Sequence, residues 1–172
     1  RRQRQMCIRD RATTTGYMLF KRFNRSISKT SPGVASQNRP SIIFRLADFY
    51  LIYAEVANEV NPSDSRVLTY LNLVRERAGL PKVEILNPGI VGNKELQRAA
   101  IQRERQIELA TEGQRYFDVR RWMIADKDGE GRQNGYAHGM NVRGTINDTE
   151  EFNRVVETEK IVFNRKMYLQ PI

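Results

Sequence analysis

The stretch IQRERQIELATEGQRYFDVRRW, Ile101 to Trp122, decides how the rest of the chain is read. Ile101, Ile107, Leu109 and Ala110 supply apolar positions, and Glu104, Glu108 and Glu112 recur every four residues, so the carboxylates line one side of a helix. Gly113 suits the left-handed conformation that closes a helix. Beyond it, Tyr116, Phe117, Val119 and Trp122 give a second segment an apolar side, with Arg115, Asp118, Arg120 and Arg121 as its polar groups. The pattern predicts a helix-turn-helix unit held by packing and by charge.

Upstream, the same periodicity recurs. Leu46, Phe49, Tyr50, Tyr53, Val56, Ala57 and Val60 fall at three- and four-residue steps, predicting a helix over 45–60 with this wide stripe, tyrosines included, in the core. Asn61-Pro62 stops it and is expected to cap a second helix over 63–78, whose inward side is Val67, Leu68, Leu71, Val74 and Ala78. Gly79-Leu80-Pro81 ends that helix. Residues 82–92 read as a connector, Asn93 as the cap of a third helix over 94–112, and 114–125 as a fourth. Two helix pairs in succession predict an all-α fold of tetratricopeptide-like hairpins with long irregular loops, although neither pair carries the full repeat consensus.

The flanks are less regular. Residues 1–12 read as a disordered basic arm, foreign in character to the rest of the chain, and 13–172 as the folded domain. Residues 13–25 suit a strand or an extended arm, and 26–39 a loop. Gly129, Gly131, Gly135, Gly139 and Gly144 punctuate a long polar loop over 126–147. A short helix is expected over 150–157, and extended chain at Ile161, Phe163 and 167–169. The sequence stops at Pro171-Ile172 within an apolar run, which reads as a truncation.

Composition narrows the function classes. The 172 residues are 40% hydrophobic, enough for a core. No run of about 18 apolar residues spans a bilayer, and no signal-peptide series is present. Cys7, the single cysteine, excludes an internal disulfide framework and has no histidine partner for nucleophilic catalysis. The net charge of +9 is concentrated in residues 1–25, which carry +7, and not in a stripe on a folded face, so nucleic acid is not the expected partner.

Four stretches in this order carry a resemblance: RLADFYLIYAEVANE (Arg45 to Glu59), YLNLVRERAGLP (Tyr70 to Pro81), the opening stretch, and FNRKMYLQPI (Phe163 to Ile172). Together they resemble the C-terminal half of the SusD/RagB family of outer-membrane nutrient-binding lipoproteins. GYMLFKR (Gly16 to Arg22) is similar to the extended segment before the first helix of that half. The resemblance implies a lipid-anchored protein on the outer face of the outer membrane. There it lids a TonB-dependent, SusC-like transporter and captures glycans, or sometimes peptides, for import. The lipid anchor and the N-terminal half are not among these residues. A helical-repeat protein–protein adaptor is the alternative, and a hydrolase a remote third reading.

Glu104, Glu108 and Glu112 are expected in a structural ion network with Arg105, Arg115, Asp118 and Arg121, with Arg103 also in reach. They are not expected to hold a metal, because a bundle di-metal site needs carboxylates on several helices and nearby histidines, and the lone His138 lies elsewhere. Asp126, Asp128 and Glu130 lack the EF-hand spacing. No phosphate-cradling glycine loop occurs, and no cofactor is expected. Ligand contacts are placed on Tyr136, His138 and Asn141 in the Gly-rich loop. Trp122 is a stacking platform in principle, though its helical stripe favours packing.

Overall fold

In the computed structural model, the described residues are Lys21, Ile42–Asp126, Gly135–Met140 and 154–169, with backbone alone described in the two strands. The chain divides into two compact units, Pro40–Trp122 and a second comprising 1–39 with Met123–Ile172. The expected basic arm, the loop over 26–39, Cys7 and Asn141 lie outside the described residues, as does the segment over 13–25 apart from Lys21.

The first unit is helical. Helix α1 (Leu46–Val60) and helix α2 (Ser65–Arg77) form an antiparallel hairpin, followed by a one-turn helix α3 (Val83–Leu86) and a 3-10 turn at Pro88–Ile90. Helix α4 (Lys94–Glu108) then packs on α1 and α2, and helix α5 (Gln114–Arg121) closes the unit. Asp64 caps α2 by accepting from the Arg66 N–H at 2.9 Å, while the expected cap, Asn61, accepts from the Ser63 N–H at 3.1 Å one turn earlier. At the far end Gly79 takes φ +76°, its N–H reaching the Glu76 carbonyl and the Leu80 N–H reaching that of Arg75. This paired closure satisfies carbonyls that the helix leaves open. Asn93 caps α4 through the Leu96 N–H at 3.2 Å. That helix ends at Glu108, four residues before the expected Glu112. Gly113, at φ +85°, stands at the start of α5 and not at the end of α4.

The core gathers Leu51 and Ala54 of α1, Val67, Leu71 and Val74 of α2, Val83 and Ile90 of the connector, and Ile101 of α4. Truncating a fully buried leucine such as Leu51 or Leu71 to alanine costs roughly 2–5 kcal/mol. The connector is gripped by Asn72 of α2. Its amide donates to the Glu84 carboxylate at 2.8 Å and its carbonyl accepts the Val83 N–H at 3.0 Å. The inward face of α2 is that expected, except that Ala78 is exposed and Asn72 is buried.

Helix α1 corrects the sequence reading. It buries Ala47, Asp48, Leu51, Ala54 and Asn58, whereas Leu46, Phe49, Tyr53, Val56 and Val60 are exposed. Tyr50 and Ala57 lie between the two faces and pack on the core edge. Both sides of the helix are apolar, and the wider stripe is the outward one. Asp48 and Asn58 disguised the inner face because polar residues there have buried partners.

The second unit contains strand β1 (Gly135–Met140) paired antiparallel with strand β2 (Arg154–Ile161). Gly135 pairs with Ile161, Tyr136 with Lys160, and His138 with Val156, with an irregularity between the last two pairs. The expected Gly-rich loop thus includes a strand, and the expected helix over 150–157 is strand from Arg154 onward. The sequence Val155-Val156-Glu157-Thr158 is rich in β-branched residues, which favour that outcome. Residues Arg165–Leu169 form a 3-10 turn where extended chain was expected. The buried Phe163 packs on the Tyr168 ring at 5.0 Å, and the Tyr168 hydroxyl donates to Asp126 Oδ1 at 2.8 Å.

Candidate functional site

The helical unit concentrates its chemistry in arginine–carboxylate pairs between helices. At the centre, Arg105 of α4 is buried. Its Nε and Nη2 donate to the two oxygens of Asp118 on α5 at 3.0 and 3.1 Å, and its Nη1 donates to Asp48 Oδ1 on α1 at 2.8 Å. One guanidinium therefore ties three helices. The fork geometry of arginine permits this; the single ammonium of lysine does not.

Arg121 extends the cluster outward. It donates to Asp118 Oδ1 and, through both terminal nitrogens, to the Glu55 carboxylate at 2.5 and 2.7 Å. Burial opposes the Arg121 charge, but Glu55 and Asp118 outweigh it and hold its pKa above the ordinary guanidinium value. Trp122 donates its indole N–H to Glu55 Oε1 at 2.6 Å. The Arg121 guanidinium stands 4.6 Å from the Trp122 ring centroid and that of Arg115 at 5.9 Å. Half-buried Trp122 thus has its polar edge engaged by Glu55 and two guanidiniums beside its ring.

The strip of glutamates is bound to arginines of α2 and to Arg45, the residue before α1. Glu104 pairs with Arg75 of α2 at 2.8 Å. Glu108 meets both Arg45 and Arg77, and Glu112 accepts from Arg45 Nε at 2.7 Å. Burial weighs against the Arg45 charge, yet hydrogen bonds to Glu112 and Glu108 raise its pKa above the usual value. These partners differ from those expected. Arg105 serves Asp48 and Asp118 instead of the glutamates, and Arg103 is exposed. Arg45, Arg75, Arg77, Asp48 and Glu55 were missed because their sequence separations, between 29 and 67 residues for most of these pairs, leave no local spacing to detect.

On the surface, Arg98 of α4 clasps Glu59 of α1 through two nitrogens at 2.7 and 2.8 Å. Hydrogen bonding to Arg98, more than to Lys94, lowers the Glu59 carboxyl to a pKa of about 2. Among the described residues, no three histidine, cysteine or acidic groups stand close enough to hold a metal ion.

The remaining candidates lie in the second unit. Tyr136 and His138 fall in β1, opposite Lys160 and Val156, on either side of the pairing irregularity. Such irregularities bend a strand and redirect the residues beside them. Asn141 comes directly after the strand, outside the described residues.

Comparison with known proteins converges on one family. The family model described as SusD family matches residues 2–172, a span that takes in the basic arm. SusD-like protein P25 of Formosa agariphila is 44% identical over 89 residues, covering 52% of this chain and 16% of the relative. A SusD-like protein of Bacteroides ovatus is 32% identical over 130 residues, covering 68% and 21%. A solved structure described as selenomethionine BT4246 superposes with a TM-score of 0.61 at 34% identity, covering 79% of this chain and 22% of that one. The chain therefore spans about a fifth of the length of these relatives.

Proposed function

The chain belongs to the SusD family, and we propose that the protein containing it is a non-catalytic glycan receptor of the outer-membrane surface that passes its ligand to a TonB-dependent, SusC-like transporter. The family is known for binding glycans at the cell surface, and its members are associated with the outer membrane. A lipid anchor outside these residues would hold the protein facing the exterior. No helix among the described residues is long and apolar enough to cross a membrane.

The observation that carries the reading is the family match over 2–172. The ion network agrees with it. Glu55, Glu104, Glu108, Glu112, Asp48 and Asp118 all hold arginines, so these carboxylates act as struts between helices and not as a general acid and base. A unit braced in this way acts as a scaffold and leaves recognition to other parts of the protein. Tyr136, His138 and Asn141 are the proposed ligand contacts: an aromatic face for the apolar side of a sugar and polar groups for its hydroxyls. Trp122 is proposed to brace the cluster, since Glu55 already takes its N–H.

The test is a glycan array probed with the whole polypeptide. Binding that falls at least about tenfold in Tyr136→Ala, the loss of roughly 1.4 kcal/mol, supports the assignment. Unchanged binding removes Tyr136 from the site. Turnover of a polysaccharide by the purified protein overturns the non-catalytic reading, and co-purification with a large barrel protein supports the transporter partnership.

A further inference from the structure

Helix α4 stops one turn early. Its sequence continues Leu109-Ala110-Thr111-Glu112 before Gly113. Leucine, alanine and glutamate are strong helix formers, so propensity carries the helix on to Glu112. The backbone instead leaves α4 after Glu108, and Thr111 takes φ +69°. That region is costly for any residue with a Cβ and most of all for a β-branched one, and no right-handed helix passes through it.

What stands at the break is Arg45, the residue before α1. Its Nη2 donates to the Glu108 carbonyl at 2.6 Å, its Nη1 to the Glu108 carboxylate, and its Nε to Glu112 Oε2 at 2.7 Å. In a continuing helix the Glu108 carbonyl accepts from the Glu112 N–H. Here that N–H turns to the Leu109 carbonyl at 3.1 Å. The guanidinium thus occupies the acceptor that the next turn needs, and it holds the Glu112 carboxylate at the same helix end. A cation there also suits the negative pole of the helix. The Arg45 side chain is 20% exposed and that of Glu112 8%, so water competes poorly for either. We propose that Arg45 is a C-cap of α4 supplied from outside the helix: it ends α4 at Glu108 and imposes the left-handed Thr111. Without it, α4 runs on to Glu112 and Thr111 relaxes to a helical φ. The turn is then a two-state element whose setting depends on the docking of α1. Because α5 follows directly, the setting also decides whether Asp118 reaches Arg105 and Trp122 reaches Glu55. The inference concerns how the helical unit assembles and does not rest on the glycan reading.

Amide hydrogen exchange of the whole polypeptide tests this, read by mass spectrometry over residues 109–113 and corrected for intrinsic rates. The informative substitution is Thr111→Gly, because its effect changes sign between the two settings. With Arg45 in place it is expected to slow exchange about threefold, the left-handed penalty it removes exceeding the freedom glycine adds to the opened turn. Thr111→Asn, whose side chain tolerates the same φ, is expected to slow it too and reports if the glycine variant misfolds. In an Arg45→Met background residue 111 lies inside a helix, where glycine is the poorer residue. There Thr111→Gly is expected to leave exchange unchanged or to speed it by up to about twofold. Should Arg45→Met fail to fold, Arg45→Lys keeps the charge without the fork, and the slowing is expected to be lost there as well. Equal slowing with and without Arg45 makes the left-handed residue a property of the helix end itself and overturns the proposal. Absence of slowing with Arg45 in place shows Thr111 to be unstrained and overturns it equally.

Discussion

Replacing Arg105 with methionine removes the one cation that two buried aspartates share. Arg105, Asp48 and Asp118 have side chains only 3–5% exposed, so water does not readily replace what the guanidinium supplies. Of the five groups in the cluster, Asp48, Asp118 and Glu55 carry three negative charges and Arg105 and Arg121 two positive ones. The variant leaves three carboxylates facing one guanidinium. Asp118 keeps Arg121, while Asp48 loses the guanidinium that binds it. Breaking a buried pair from one side costs about 3–5 kcal/mol, chiefly because the charge left behind has been desolvated. For a chain of this size that lowers the melting temperature by roughly 6–20 °C. Urea denaturation followed by circular dichroism reads the effect, and a double-mutant cycle identifies its cause. Arg105→Met with Asp48→Asn is expected to be more stable than Arg105→Met alone, because the second change removes the stranded charge. A cost below about 1 kcal/mol for Arg105→Met would match a solvated surface pair instead. That result, or a double variant no better than the single, refutes the argument.

Three further outcomes are expected. Gly79→Ala loses roughly 1 kcal/mol, since φ +76° disfavours any Cβ, although no atom within 4 Å obstructs one. Gly89→Ala, at ordinary φ with its nearest neighbour at 3.6 Å, is close to neutral in the same denaturation assay. The Glu59–Arg98 clasp gives a pH signature. The folded carboxyl titrates at about 2, below its ordinary 4.5, so its contribution is complete above pH 4.5 and disappears as the pH falls towards 2. Because the pair is exposed, Glu59→Gln is expected to cost at most about 1 kcal/mol at neutral pH and nothing near pH 2. A difference that grows in acid contradicts this.

The helical part of the fold was legible because its signals are local. Val67, Leu71 and Val74 repeat at helical spacing, Gly79 closes its helix through a φ few other residues accept, and Asn93 caps the next helix within three residues. The ends of α4 and α5 were less legible, since the turn between them places a positive φ at Thr111 as well as at Gly113. The hairpin was missed because Gly135–Met140 carries two glycines and no β-branched residue, and the β-branched run in β2 is short. At the charged cluster the sequence named Arg105, Asp118 and Arg121, which do meet, but it missed Asp48 and Glu55 and the arginines that the glutamates take. Arg45 meets Glu108 and Glu112 across more than sixty residues, a proximity that exists only after α1 has docked on α4. The ligand contacts rest on composition alone in the sequence, through an aromatic and two polar groups among glycines.

The misread face of α1 has the same physical origin. Periodicity detects an apolar stripe but not what lies on either side of it. Leu46, Phe49, Val56 and Val60 make the stronger stripe, yet the face that docks on α2 and α4 carries Asp48 and Asn58. Asp48 is tolerated inside because Arg105 meets it there, and the Asn58 amide N–H reaches the Lys94 carbonyl although its Oδ1 is left without a partner, compensation available only in three dimensions. A helix with a satisfied polar group on its inner face and bare aliphatic residues on its outer face is under opposite pressures on its two sides. Exposed aromatic and branched side chains in one continuous strip favour any surface that removes them from water, at about 25 cal/mol for each Å² covered. The arginine struts fix the inner side, so relief must come from outside α1 and not from its rotation. Rotating the helix to bury Phe49 and Val56 would pull Asp48 from Arg105 and Glu55 from Arg121, exchanging an apolar gain for stranded charges. The ion cluster thus sets the rotational register of α1 and leaves its apolar strip presented outward.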